Sequence, residues 1–158
     1  KSVNQGAHWQ QVNHGLVPEG MVKTSRALSV TSVQVDPFTT ETVYAATLAG
    51  LYKTTDGATS WVRIGESMQD QMIVSMVLDR ARPGVMYVAA RDGIHRSEDG
   101  GTSWVALNEG LATTNIRSLA QSALDPQLFY AGTNGSGLYR STDRGVHWEA
   151  LPSVFPKE

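Results

Sequence analysis

Thr54-Thr55-Asp56-Gly57-Ala58-Thr59-Ser60-Trp61 decides the fold, because the same text returns twice. It reads Ser97-Glu98-Asp99-Gly100-Gly101-Thr102-Ser103-Trp104, then Ser141-Thr142-Asp143-Arg144-Gly145-Val146-His147-Trp148. A fourth copy, Ser2-Val3-Asn4-Gln5-Gly6-Ala7-His8-Trp9, carries Asn4 in the aspartate place. Ahead of the three full copies stand Gly50-Leu51-Tyr52-Lys53, Gly93-Ile94-His95-Arg96 and Gly137-Leu138-Tyr139-Arg140. Tyr44, Tyr87 and Tyr130 fall at intervals of 43 residues, and Trp61, Trp104 and Trp148 at 43 and 44. A period of about 40–45 residues marks a unit that stacks on its neighbours to bury a continuous core.

Each unit divides into four short strands. In the first they run from Ser29 to Val35, Thr42 to Thr47, Gly50 to Thr54 and Trp61 to Ile64, rich in Val, Thr, Tyr and Trp. Asp36-Pro37 and Asp125-Pro126 are turns between strands, and Asp92-Gly93 is a hairpin signal because both residues tolerate positive φ. No stretch sustains a 3.6-residue period, so almost no helix is expected. The expected fold is all-β: three four-stranded antiparallel β-propeller blades and the end of a preceding one.

The aspartate motif has a local physical purpose. An Asp at the start of a tight loop accepts N–H bonds from the residues just after it. The Gly two positions on permits positive φ, and the Trp pins the loop by burying its ring. Asn4, Asp56, Asp99 and Asp143 are therefore read as turn braces, with Trp9, Trp61, Trp104 and Trp148 as their anchors. The pattern S/T-x-D-x-G-x-x-W resembles the Asp-box, or BNR, repeat of β-propellers. Sialidases, xyloglucan-cleaving glycoside hydrolases, sortilin-type receptors and photosystem II assembly factors carry it. The resemblance implies a propeller whose Asp-boxes are structural and lie away from the binding face. Ala58 departs from it, standing where the pattern has Gly, and Asn4 braces its turn without a charge.

Residues 1–27 are read as the end of a preceding blade and a connecting loop, 28–66, 72–108 and 115–152 as blades, and 153–158 as a tail. Closed propellers take four to eight blades. Three should leave the first and last apolar faces uncovered, so a larger propeller, a second copy or a protein partner is expected to cover them. The start at Lys1 reads as a processed form or a fragment.

Composition removes other classes. Net charge is −2, which gives no footprint for nucleic acid. No apolar run approaches the roughly 18 residues of a transmembrane helix. Without cysteine there is no disulfide or thiolate chemistry. One carboxylate per loop does not make a calcium site, so no metal or cofactor is expected. An extracellular or periplasmic location is expected.

Catalytic candidates are sparse. His8 and His147 share one Asp-box position with Ser60 and Ser103, His95 stands where Tyr52 and Tyr139 do, and His14 lies alone in a loop. Asp36 and Asp79 are periodic and read as turn residues. Asp70, Arg91, Asp92, Glu109 and Asn115 read as breaks in the repeat. The resemblance puts their loops on one face, so Arg91, Asp92, Glu109 and Asn115 are the candidate binding residues. No motif for a nucleophile or phosphate loop appears. Arg26, Arg91 and Arg117 lack the motif that precedes the first sialidase arginine. The expected function is a non-catalytic binding or scaffold module contacting protein or glycan. The alternative is part of a glycoside hydrolase or sialidase-like enzyme, whose acid and base would face a shared cleft.

Overall fold

A computed structural model of the chain describes residues 1–16, 29–69 and 71–152. Arg26 and Asp70 and the tail at 153–158 lie outside the described residues. The twelve strands form three separate four-stranded antiparallel sheets, each a meander in chain order. The first holds β1 (Val30–Val35), β2 (Val43–Thr47), β3 (Gly50–Thr54) and β4 (Val62–Ile64). The second holds β5 (Ser75–Leu78), β6 (Met86–Ala90), β7 (Gly93–Ser97) and β8 (Val105–Ala106). The third holds β9 (Ile116–Gln121), β10 (Phe129–Thr133), β11 (Leu138–Ser141) and β12 (Glu149–Ala150). The only helical element among the described residues is a 3-10 turn at Glu66–Met68. No helix among them is long and apolar enough to cross a membrane.

Strands two and three of each sheet carry the core. Their period-2 alternation puts Tyr44 and Ala46, with Leu51 beside them, on one face of the first sheet. There they pack with Met76, Leu78, Met86 and Val88 of the second. Tyr87, Ala89 and Ile94 repeat the arrangement against Leu119, Phe129, Ala131 and Tyr139 of the third. The rings of Tyr87 and Phe129 meet there at 4.4 Å. Side chains also bridge adjacent inner strands: Thr31 Oγ1 donates to the Ile73 carbonyl at 2.6 Å, and Ser75 Oγ accepts the Leu119 N–H at 3.1 Å.

The Asp-boxes form as braces. Asp99 Oδ1 accepts the N–H groups of Thr102 and Ser103 at 2.9 Å each, while Oδ2 accepts the Ser103 hydroxyl at 2.6 Å. Asp56 repeats both N–H bonds and Asp143 keeps the one from His147, with Ser60 and His147 closing the second oxygen at 2.6 Å. Asn4 accepts the His8 N–H at 2.9 Å, and its amide meets His8 Nδ1 at 3.0 Å. The two residues after each Asp or Asn are both left-handed, so Ala58 carries φ 73° without the freedom of glycine.

The four tryptophans are not equivalent, which corrects the sequence expectation. Trp61 and Trp148 are buried, Trp104 is half-buried, and Trp9 is 76% exposed. Burial depends on the segment three residues past the previous box's tryptophan. Trp61 Nε1 donates to Val12 O at 2.8 Å and Trp148 Nε1 to Leu107 O at 3.0 Å. Trp104 turns instead to Gly101 O in its own loop, at 3.1 Å. No described segment offers Trp9 such a carbonyl.

Of the two end faces, the first differs from expectation and the last stays partly open. The first sheet's outer face is partly covered, since Val12, Leu16 and Trp61 pack on Ala45 and Tyr52. Its inner strand remains open: Val33 and Val35 are 57% and 55% exposed, whereas Met76 and Leu78 at the same register are buried. On the third sheet, Tyr130, Gly132 and Leu138 stand where Tyr44, Ala46, Leu51 and Tyr87, Ala89, Ile94 are buried. Leu138 is 45% exposed.

Candidate binding cleft

The short β6–β7 hairpin turns through Arg91 and Asp92, closing between Ala90 and Gly93. Gly93 at φ 123° allows that closure. The matching turn of the first sheet is Leu48-Ala49, so only the second projects charge. The segment leading into β9 is held by its own backbone. Thr113 Oγ1 accepts the Asn115 N–H at 3.1 Å, and the Asn115 carbonyl accepts the Asn134 N–H at 2.9 Å.

Hairpin and segment line an open cleft of about 560 Å³ between the second and third sheets. Arg91 and Arg117 bring two cations to it, and Thr113, Thr114 and Asn115 bring amide and hydroxyl groups. Met72, Val74, Ala90 and Ile116 supply aliphatic surface. Neither arginine meets a carboxylate among the described residues, whereas Arg82, Arg96 and Arg140 pair with Asp79, Glu98 and Glu149.

The structure thus brings Arg91 and Asn115 together and leaves the other two candidates apart. Asp92 Oδ1 lies 2.8 Å from Nε2 of His95, a buried side chain, so it fastens its own hairpin. Glu109 stands 3.5 Å from His147 Nε2, against the third Asp-box. Nor does Glu109 break the repeat. Asn108-Glu109-Gly110-Leu111 matches Asn13-His14-Gly15-Leu16, and the carbonyls of Glu109 and His14 accept the backbone N–H of Trp148 and Trp61, both at 2.9 Å. His14 is therefore not alone in its loop. Arg117 is the residue that sequence reasoning under-weighted. Its signal is legible, because Thr31 and Val74 hold the same inner-strand register.

Electrostatics single out the Asp-boxes. The Ser60 hydroxyl, then that of Thr54, holds Asp56 well below the usual carboxylate range, and Ser103 does the same for Asp99. For Asp143, partial burial pushes upward, but the His147 N–H and ring and the Ser141 hydroxyl win and bring it to about 2. Asp143, then Glu109, raises His147 above its ordinary value. Such carboxylates are acceptors locked in a turn, not proton donors near neutral pH. Among the described residues no group of three or more His, Asp or Glu side chains is placed to hold a metal ion.

Four-stranded meanders stacked face to face, inner strand beside inner strand, are the units of one architecture. These are β-propeller blades. Solved propellers agree in fold. An ancestral GH74 enzyme superposes with a TM-score of 0.66 at 24% identity, over 80% of this chain and 19% of its own. YCF48 bound to a D1 peptide gives 0.58 at 18%, over 78% of this chain and 39% of its own. The extracellular domain of a one-component system protein from B. thetaiotaomicron gives 0.59 at 11%, over 77% and 18%. The blades span less than two fifths of each of these proteins. No family model and no curated protein matches the sequence.

Proposed function

We propose that these blades form a non-catalytic binding or scaffold module that docks, through its third blade, on another blade of the same construction. The observation that carries this reading is the set of Tyr130 and Gly132, half-buried, and Leu138, exposed, whose counterparts in both preceding blades are buried by the next sheet. A face built twice to receive a blade is suited to receive one a third time. The complementary surface is the open inner strand of the first blade, Val33 and Val35. A second copy of the chain can therefore supply the occupant by head-to-tail contact.

Partner contacts beyond that docking are assigned to the cleft, through Arg91 and Asn115, while Asp92 and Glu109 hold His95 and His147 away from it. Glycan contact belongs to the same proposal. An extracellular or periplasmic location goes with it, in keeping with the extracellular domain among the structural relatives. The competing reading, a portion of a carbohydrate-active enzyme, draws on the likeness to a GH74 enzyme.

Sedimentation velocity of the chain over a hundredfold concentration range tests the first reading. Reversible association, lost in the Leu138→Glu variant at unchanged melting temperature, is the expected result. A monomer at every concentration would remove it. Release of reducing sugar from polysaccharide by the purified chain would instead favour the enzyme.

A further inference from the structure

We propose that the cleft between the second and third blades binds a small organic carboxylate with an aliphatic body. This goes beyond the docking reading and does not depend on it, because the cleft lies between the second and third blades and not on the docking face.

The charge comes first. Arg91 and Arg117 are both exposed and reach the cleft from different blades, one from a hairpin and one from an inner strand. Two cations that meet no carboxylate among the described residues repel each other, and an anion between them relieves that repulsion while gaining two charge-assisted contacts. A guanidinium holds a carboxylate through two parallel N–H bonds, so a planar anion fits such a pair better than a spherical one. Asn115 adds a side-chain amide, since its backbone groups are already engaged with Thr113 and Asn134.

The walls decide the rest of the ligand. Met72, Val74 and Ile116 are aliphatic, and among the described residues no aromatic ring lines the cleft. A short alkyl chain would bury against these side chains, at about 0.8 kcal/mol per CH₂. The volume of about 560 Å³ lies within the usual size of small-molecule sites.

Binding of hexanoate, measured by calorimetry on the intact chain, tests this. Saturable binding of hexanoate is expected, with hexanamide silent and acetate at least tenfold weaker. Arg91→Gln and Arg117→Gln should each weaken hexanoate about tenfold, while Arg144→Gln, in the third Asp-box, leaves it unchanged. Equal binding of hexanoate and hexanamide would overturn the charge assignment. An equal loss in Arg144→Gln would reduce the effect to net charge, and absence of saturable binding would remove the site. Since sedimentation reads docking and calorimetry reads the cleft, either proposal can fail without the other.

Discussion

Gly110 lies so close beneath Trp148 that a Cβ built on it would overlap the Trp148 carbonyl oxygen, and Gly15 stands the same way under Trp61. This close approach lets one connecting segment clamp the next blade at two points. The backbone N–H of Trp148 binds Glu109 O, and its indole N–H binds Leu107 O two residues earlier. Gly110→Ala should therefore cost at least about 3 kcal/mol, from overlap with backbone that cannot yield and from φ 88°. Gly100→Ala is the control: φ is 72° and nothing lies within 4 Å of its Cβ position, so only the left-handed cost of about 1–2 kcal/mol applies. Equal losses in urea denaturation would contradict the clamp.

The tryptophans should rank by burial and not by motif. Trp148→Ala and Trp61→Ala are each expected to cost about 3–5 kcal/mol. Trp104→Ala should cost less, because its ring is half-buried and its N–H is satisfied within its own loop. Trp9→Ala should lie within about 0.5 kcal/mol of the parent. Chemical denaturation of the four variants measures the order, and a large loss at Trp9 would show that its ring is covered in solution.

Acid and base act on different parts of the third Asp-box. Asp143 is depressed when folded, so its contribution is present above its ordinary 3.8 and is lost as pH falls toward 2. His147 is raised when folded, so its contribution is full below 6.5 and disappears as pH rises through the raised value. The parent should therefore lose melting temperature as pH rises above 6.5 relative to His147→Ser, which copies Ser103 of the second box. Parallel profiles for the two proteins would show that the pairs with Asp143 and Glu109 do not hold in solution.

The blades were legible because their signals are local. Gly50, Gly93 and the β-branched runs fix hairpins through short-range turn chemistry, and β3 falls at Gly50–Thr54 as expected from the sequence. Tryptophan burial was not legible, because it depends on a carbonyl 49 residues earlier for Trp61 and 41 for Trp148, and Trp104 and Trp61 read alike in sequence. The cleft was half legible. Arg91 stands out from Leu48, its counterpart in the first hairpin, and Arg117 from Thr31 and Val74 at its register, but the two come to one cleft only when the inner strand of the third blade lies beside the second. Asp92 and Glu109 look like free loop charges until their contacts with His95 and His147 are seen.

The proposed docking makes Val33 of one copy a neighbour of Leu138 of another, as Met76 and Leu51 share one core within the chain. The chain has no cysteine, so single substitutions can be crosslinked without background. A short bismaleimide added to an equimolar mixture of Val33→Cys and Leu138→Cys should give a dimer in high yield, at protein concentrations where sedimentation shows association. A mixture of Val33→Cys with Val105→Cys, on an outer strand, should give little. Equal yields from both mixtures, or no dimer from either, would contradict docking through the third blade.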